Sequence, residues 1–179
     1  MARRLIAALI IGTVVVGGCV ESPAAAPSIA AAGPTGPIGP IEEARVVRVV
    51  DGDTIVVDRG RGDERVRYIG IDAPETVRSD SPAEWMGPGA SVANEALVAD
   101  REVVLEKDVT EVDRFDRLLR YVWVSEPDGR WAMVNLALVE RGFANVSTFP
   151  PNVRYADELL AAERRARDAG VGLWGTGPP

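Results

Sequence analysis

Histidine is absent from this 179-residue chain, and cysteine occurs once, as Cys19. The chain therefore has no imidazole for proton transfer near neutral pH and lacks the usual ligands of softer metals. A single thiol closes no internal disulfide and builds no cysteine metal site. Positive charge is also in deficit, with 20 basic residues against 27 acidic ones and a net charge of -7. An acidic protein is not an obvious partner for nucleic acid. Net charge governs encounter and solubility, however, not what a local site can do. An enzyme of this charge acting on nucleic acid needs a locally positive cleft or a bound cation.

Long apolar runs are scarce too. Only "LIAALIIGTVVVGG" (5–18) stands out, behind Arg3 and Arg4. It falls short of the roughly 20 apolar residues of a membrane span and has the length of a signal peptide. It runs into "VGGC", which resembles a bacterial lipobox. That resemblance implies cleavage before Cys19 and lipid on Cys19. Plain secretion or an uncleaved anchor are the alternatives. All three place the remainder outside the cytoplasmic membrane, with a lipid-held position in the bacterial cell envelope expected. Loss of residues 1–18 removes two arginines and takes the net charge to -9, 18 basic against 27 acidic.

Residues 20–41, "VESPAAAPSIAAAGPTGPIGPI", have a linker composition of Pro, Gly, Ala and Ser. The expected layout is a signal peptide at 1–18, Cys19 and linker over 19–42, one folded domain at 43–175 and a short tail at 176–179.

Within the domain, "ARVVRVV" (44–50) and "TIVVD" (54–58) read as strands around a "DGD" turn. Val47 and Val49 share one face of the first strand, Val46 and Val50 the other. "ERVRYIGI" (64–71) reads as a third strand with Arg67, Ile69 and Ile71 on one face. "GASVANEALVAD" (89–100) suits a helix and "REVVLEKD" (101–108) a strand. "RLLRYVWVS" (117–125) and "RWAMV" (130–134) flank the turn "EPDG". Helices are expected over 132–142 and 153–170, each ending at a glycine. A curled antiparallel meander with helices is an α+β plan, and a small OB-type barrel fits the strand count.

Several polar residues each have an ordinary explanation. Asp53 and Asp72 suit turns, Glu75 an exposed loop, and Arg117 a surface pairing with the acids beside it, Asp113 and Asp116. Taken together they form another pattern. Strands 54–58 and 64–71 bring Asp53 and Asp72 toward one sheet end, where two carboxylates, a carbonyl and waters suit Ca²⁺ or Mg²⁺. Arg67 and Arg117 offer forked donors to a phosphate, and Glu75 can take a proton from water. Those are the parts of phosphodiester hydrolysis.

In order along the chain, "VVDGDTIVV", "VRYIGIDAPE", "DRFDRLLRYV", "VNLALVERGFA" and a terminal "GLW" resemble the thermonuclease, or staphylococcal nuclease-like, family from about Glu43 to Trp174. The resemblance implies a five-stranded OB-type β-barrel with three helices. It also implies a calcium-dependent endonuclease that hydrolyses DNA and RNA to 3′-phosphate ends; Mg²⁺ is the weaker alternative. By the same resemblance, Asp53, Asp72 and the Ala73 carbonyl hold the metal, with Thr54 in support. Glu75 is the general base, and Arg67 and Arg117 are the catalytic arginines. Asp113, Phe115 and Phe149 belong to substrate binding, and the protein is expected to be a monomer.

Departures from the family pattern are also visible. Ala73 stands where threonine is common, Phe115 where tyrosine is, and Asp116 where glycine is usual. "NVSTFPPN" (145–152) keeps one aromatic, Phe149, where relatives carry tyrosines that stack on the nucleotide. Weaker stacking is expected. The competing reading is a binding module of the same fold that has lost catalysis. The retained set of Asp53, Arg67, Asp72, Glu75 and Arg117 separates the two.

Overall fold

The computed structural model describes residues 33–76 and 82–177. The expected signal peptide, Cys19 and the first part of the linker lie outside the described residues. Among the described residues, no helix is long and apolar enough to cross a membrane.

The elements in chain order are β1 (Ile41–Asp51), β2 (Thr54–Asp58), β3 (Asp63–Tyr68), β4 (Ile71–Asp72), α1 (Gly87–Val98), β5 (Glu102–Glu106), β6 (Leu118–Ser125), β7 (Trp131–Met133), α2 (Val134–Glu140), β8 (Asn145–Val146) and α3 (Ala156–Ala169), followed by a 3-10 turn at Gly172–Trp174. The main sheet runs β3-β2-β1-β5-β6-β7, and β3 also pairs with β6. That last pairing is parallel, Val66 to Leu118 and Tyr68 to Arg120. It closes five strands into a barrel, with β7 a short extension along β6. The expected α+β barrel with three helices is therefore what the chain forms.

Closure puts aliphatic and aromatic residues inside: Ile55, Val57, Val66, Leu105, Val122 and Trp123 are fully buried. The helices cover the barrel through Leu97, Leu138 and Leu159, also buried. Part of the stretch expected as linker packs on the barrel as well. The Ile38 and Gly39 amides donate to Glu106 Oε1 at 3.0 and 2.6 Å. The buried Glu106 carboxylate also accepts from Trp123 Nε1 at 2.8 Å and from the Tyr155 hydroxyl.

Two local expectations are corrected. Strand β1 does not alternate simply, because its register against β2 shifts between Val46 and Arg48 and again between Val49 and Asp51. Bulges of this kind add a residue and twist the strand. Val46 is consequently buried while Val47 is exposed, and Val49 and Val50 lie between.

The expected strand 64–71 is also interrupted. β3 ends at Tyr68, the Ile69 amide donates to the Arg120 carbonyl at 2.9 Å, and Gly70 turns with φ +80°. The chain then re-enters a different pairing, Ile71 with Val146 and Asp72 with Asn145. Ile69 and Ile71 remain buried on either side of the break. This turn carries Asp72 out of the barrel wall. A Cβ at Gly70 would lie 2.6 Å from Leu159 Cδ1. Gly70→Ala combines that overlap with left-handed strain and is expected to destabilise the protein by about 1–3 kcal/mol, read from urea unfolding.

Candidate functional site

The "DGD" turn is built for close approach. A Cβ on Gly52 would stand 2.5 Å from Ala73 Cβ and 2.7 Å from Ala90 Cβ, so only glycine lets the turn touch both the 73 loop and α1. Asp51 Oδ1 accepts the Asp53 amide at 3.1 Å and shapes the turn. The Asp53 carboxylate is thereby left free of turn duty and points inward, with the residue 5 % exposed. Its Oδ1 accepts from Thr54 Oγ1 at 3.1 Å, and its Oδ2 accepts from the Ala73 amide at 2.7 Å.

Arg67, near the end of β3, spans two carboxylates. Nη1 lies 2.8 Å from Asp53 Oδ2, and Nη2 lies 2.7 Å from Asp72 Oδ1. Nη1 also donates to the Ile71 carbonyl at 2.9 Å and the Tyr68 carbonyl at 3.2 Å. Burial pushes the Asp53 carboxyl up to about 7 from its usual 3.8, against the opposing pull of Arg67 and the Ala73 N–H. Asp51 adds a smaller push upward.

The other arginine is held differently. Asp113 Oδ1 accepts the Phe115 amide at 2.8 Å and the Arg117 amide at 3.0 Å, while Oδ2 accepts Arg117 Nε at 2.7 Å. Asp113 therefore folds the loop and orients the guanidinium in one step. Among the described residues, Arg117 Nη1 and Nη2 donate to none. The expected surface pairing of Arg117 is with Asp113 alone, since Asp116 is exposed and has left-handed backbone, φ +61°. The Phe115 ring lies beneath Arg114 and Arg117, with guanidinium carbons 4.7 and 5.4 Å from its centroid.

Arg67, Asp113, Phe115, Arg117 and Phe149 line one open cleft of about 530 Å³. Phe115 and Phe149 are 64 % and 75 % exposed, so both rings are open to solvent or ligand outside the guanidinium contacts of Phe115. Glu75 is not part of the cleft lining. It is exposed, and its backbone is tied to Glu84 by the Glu84 amide donating to its carbonyl at 2.9 Å. No ion pair joins its carboxylate to Arg67 or Arg117 among the described residues. Trp85 is half exposed away from the cleft, Trp123 is in the core, and Trp174 stacks under Arg167 at 4.0 Å.

Among the described residues, no group of three or more Asp, Glu, His or Cys side chains converges as a cation cage. What the site offers is the pair Asp53 and Asp72, with Asp51 behind the turn and one guanidinium between them. Once both acids are ionised, two carboxylates against one guanidinium leave one negative charge in surplus, and oxygen donors of that charge fit a hard cation in chemical character.

Three buried asparagines were not singled out from the sequence. Asn94 accepts from the Tyr68 hydroxyl and donates to the Asp51 carbonyl, both at 2.9 Å. Asn135 accepts from the Val122 amide and donates to the Ile69 carbonyl, both at 2.9 Å. Asn152 Oδ1 accepts the Val109 and Thr110 amides at 3.0 and 2.7 Å. Each fastens a loop that carries site residues. For Asn94 a signal existed, because it shares the apolar helical face of Ala90, Leu97 and Val98.

With that geometry in view, likeness to known proteins is informative. Residues 65–176 match the family model described as staphylococcal nuclease homologue. The chain belongs to this family. It is 36% identical over 129 residues to a thermonuclease of Staphylococcus intermedius, covering 72% of this chain and 74% of that one. It is 35% identical over 130 residues to the thermonuclease of Staphylococcus hyicus, covering 73% and 74%. Endonuclease YncB of Bacillus subtilis (strain 168) is 35% identical over 129 residues, covering 71% and 59%.

Two measurements follow for this staphylococcal nuclease homologue. Asp116→Gly relieves left-handed strain at an exposed position and is expected to raise stability by about 0.5–1 kcal/mol, read from urea unfolding. Asp53 supplies a pH dependence. Between its ordinary value of 3.8 and about 7, the folded chain keeps a proton that the unfolded chain has released. Its contribution to stability is therefore complete at low pH and is lost as pH rises through about 7. In chelator, unfolding free energy from pH 5 to 7.5 is expected to fall more for the parent than for Asp53→Asn.

Proposed function

We propose that the protein is a calcium-dependent endonuclease that hydrolyses phosphodiester bonds of DNA and RNA. The observation that carries this reading is the convergence of Arg67 and Arg117 on one cleft, beside a carboxylate pair held by Arg67 itself. The thermonucleases and endonuclease to which the chain is similar support the same class of reaction.

Each residue then has a task that its setting allows. Arg117 presents two unengaged nitrogens to a phosphate, and charge building on the phosphoryl oxygens strengthens those bonds. Arg67 bridges Asp53 and Asp72 while bordering the same cleft. Glu75, exposed and unpaired with either arginine, takes a proton from the attacking water. The water oxygen bonds to phosphorus as the bond to the 5′ oxygen breaks, and the 5′ oxygen takes up a proton from solvent, leaving a 3′-phosphate and a 5′-hydroxyl. Asp53, Asp72 and the Ala73 carbonyl would hold Ca²⁺, with Thr54 steadying Asp53; when bound, the ion supplies Lewis-acid stabilisation of the phosphoryl group. Phe115 and Phe149 receive bases or sugars on their exposed faces.

A locally positive cleft and a cation answer the problem of a net charge of -7. The domain acts in the cell envelope, outside the cytoplasmic membrane, held by lipid on Cys19. Cys19→Ala is expected to move the protein from the membrane fraction to the soluble fraction.

The decisive test is cleavage of closed-circular DNA and single-stranded RNA by the full chain in mild detergent, with Ca²⁺, with Mg²⁺ and with chelator. Calcium-dependent cutting is expected. Arg117→Ala should lower kcat by about 10²–10³, as loss of one charge-stabilising donor does. Glu75→Gln should lower it by about 10²–10⁴. A folded parent that cuts under no metal would turn the reading to a nucleic-acid binding module of the same fold.

A further inference from the structure

Arg120 is the most unusual side chain that the proposed reaction does not use. It sits in β6, one residue beyond the Leu119 that pairs with Arg67, and it is wholly buried. A buried guanidinium is weak evidence for stability, since an apolar side chain of similar volume often serves as well. Its complete burial points instead to a task that charge and forked donors perform.

The contacts define that task. Nη1 donates to the Glu111 carbonyl at 3.0 Å and to the Leu119 carbonyl at 2.8 Å. Nη2 lies 3.3 Å from Glu111 Oε1 and 3.3 Å from Glu42 Oε2. The Leu119 amide donates to the same Glu111 carbonyl at 2.9 Å. One guanidinium thus ties together the two ends of the loop that carries Arg117 and fastens them to β1. The carboxylates it uses are themselves held. Lys107 Nζ lies 2.7 Å from Glu111 Oε1, and Arg59 Nη1 lies 2.6 Å from Glu42 Oε2.

Above this base the loop is a closed unit. Val112 bridges Leu118, the Asp113 amide donates to the Arg117 carbonyl at 3.0 Å, and Asp113 caps the apex. Such a unit is braced within itself. Its direction over the cleft is set where it joins the barrel, and Arg120 is at that joint.

We propose that Arg120 is a positioning residue for Arg117, its clamp on Glu111 holding the arginine loop in one orientation over the cleft. The kinetic side of this proposal rests on the nuclease reading; the structural side does not. A lysine at 120 keeps the charge but has no fork to hold two carbonyls and two carboxylates together.

The test uses the full chain in mild detergent, at temperatures well below melting for every variant. On circular DNA with Ca²⁺, Arg120→Met is expected to lower kcat by about 10–100-fold with KM within about threefold, the size of effect that a small misplacement produces. Arg120→Lys, which retains the buried charge, is expected to lower kcat by about fivefold or more. In an Arg117→Ala background, Arg120→Met should change kcat by less than about twofold, because residues acting as a unit are non-additive. Equal losses with and without Arg117, or parental kcat in Arg120→Lys, would overturn the proposal.

A spectroscopic arm stands apart from activity. In arginine-¹⁵N spectra, the Arg117 Nε–H resonance should be single in the parent and broadened or split in both Arg120 variants. An unchanged resonance would overturn the proposal. An inactive parent with that broadening would remove the nuclease reading and leave the clamp.

Discussion

The ion pair between Asp53 and Arg67 is the constraint around which the site is arranged. It joins the turn between β1 and β2 to the end of β3 at 2.8 Å, with the carboxylate almost fully buried. A carboxyl group removed from water needs a partner, and above about pH 7, where Asp53 is ionised, losing Arg67 would strand its charge. The pair therefore dictates its neighbours. The Ala73 amide must come to Asp53, so the chain must turn at Gly70 and bring Asp72 within reach of the second guanidinium nitrogen. Gly52 must lack a side chain for Ala73 and Ala90 to approach.

The two arginines divide the work by how they are held. Arg67 engages carboxylates and carbonyls through both terminal nitrogens and forms part of the cleft wall. Arg117 is fixed through Nε alone, leaving its fork open to the cleft. Asp113 makes that possible by satisfying three donors of the same loop. A loop of this kind is rigid within itself and depends on its attachment for aim. Buried polar groups at the attachment, Arg120 on one side and Asn152 on the other, hold it where apolar packing would set no direction.

The acidic balance of the chain and its proposed chemistry are compatible because charge is arranged locally. Acidic residues are paired with arginines over much of the barrel, as in the Glu42, Arg59 and Glu64 cluster. The open guanidinium of Arg117 faces the cleft. Net charge then slows encounter without deciding what the cleft binds.

Much of this was legible in the chain itself. Runs of β-branched residues, the "DGD" and "EPDG" turns and the helical periodicities determined the strand and helix order, because those signals are local and set by backbone sterics. Asp53, Arg67, Asp72, Glu75 and Arg117 could be singled out along the chain; the structure joins Asp53, Arg67 and Asp72 and leaves Glu75 outside the cleft lining. Tertiary structure alone decided the rest. The alternation of β1 failed at a bulge that only its partner strand reveals. The strand over 64–71 broke because Leu159 from a distant helix crowds Gly70 and β8 offers a new pairing. Asp113 rather than Asp116 holds Arg117, because Asp116 adopts left-handed backbone and faces solvent. The burial of Arg120 beneath the Arg117 loop follows from barrel closure, a contact between residues 78 apart at Glu42. Local physics determines which elements form; which charges lose their water is decided only when those elements pack.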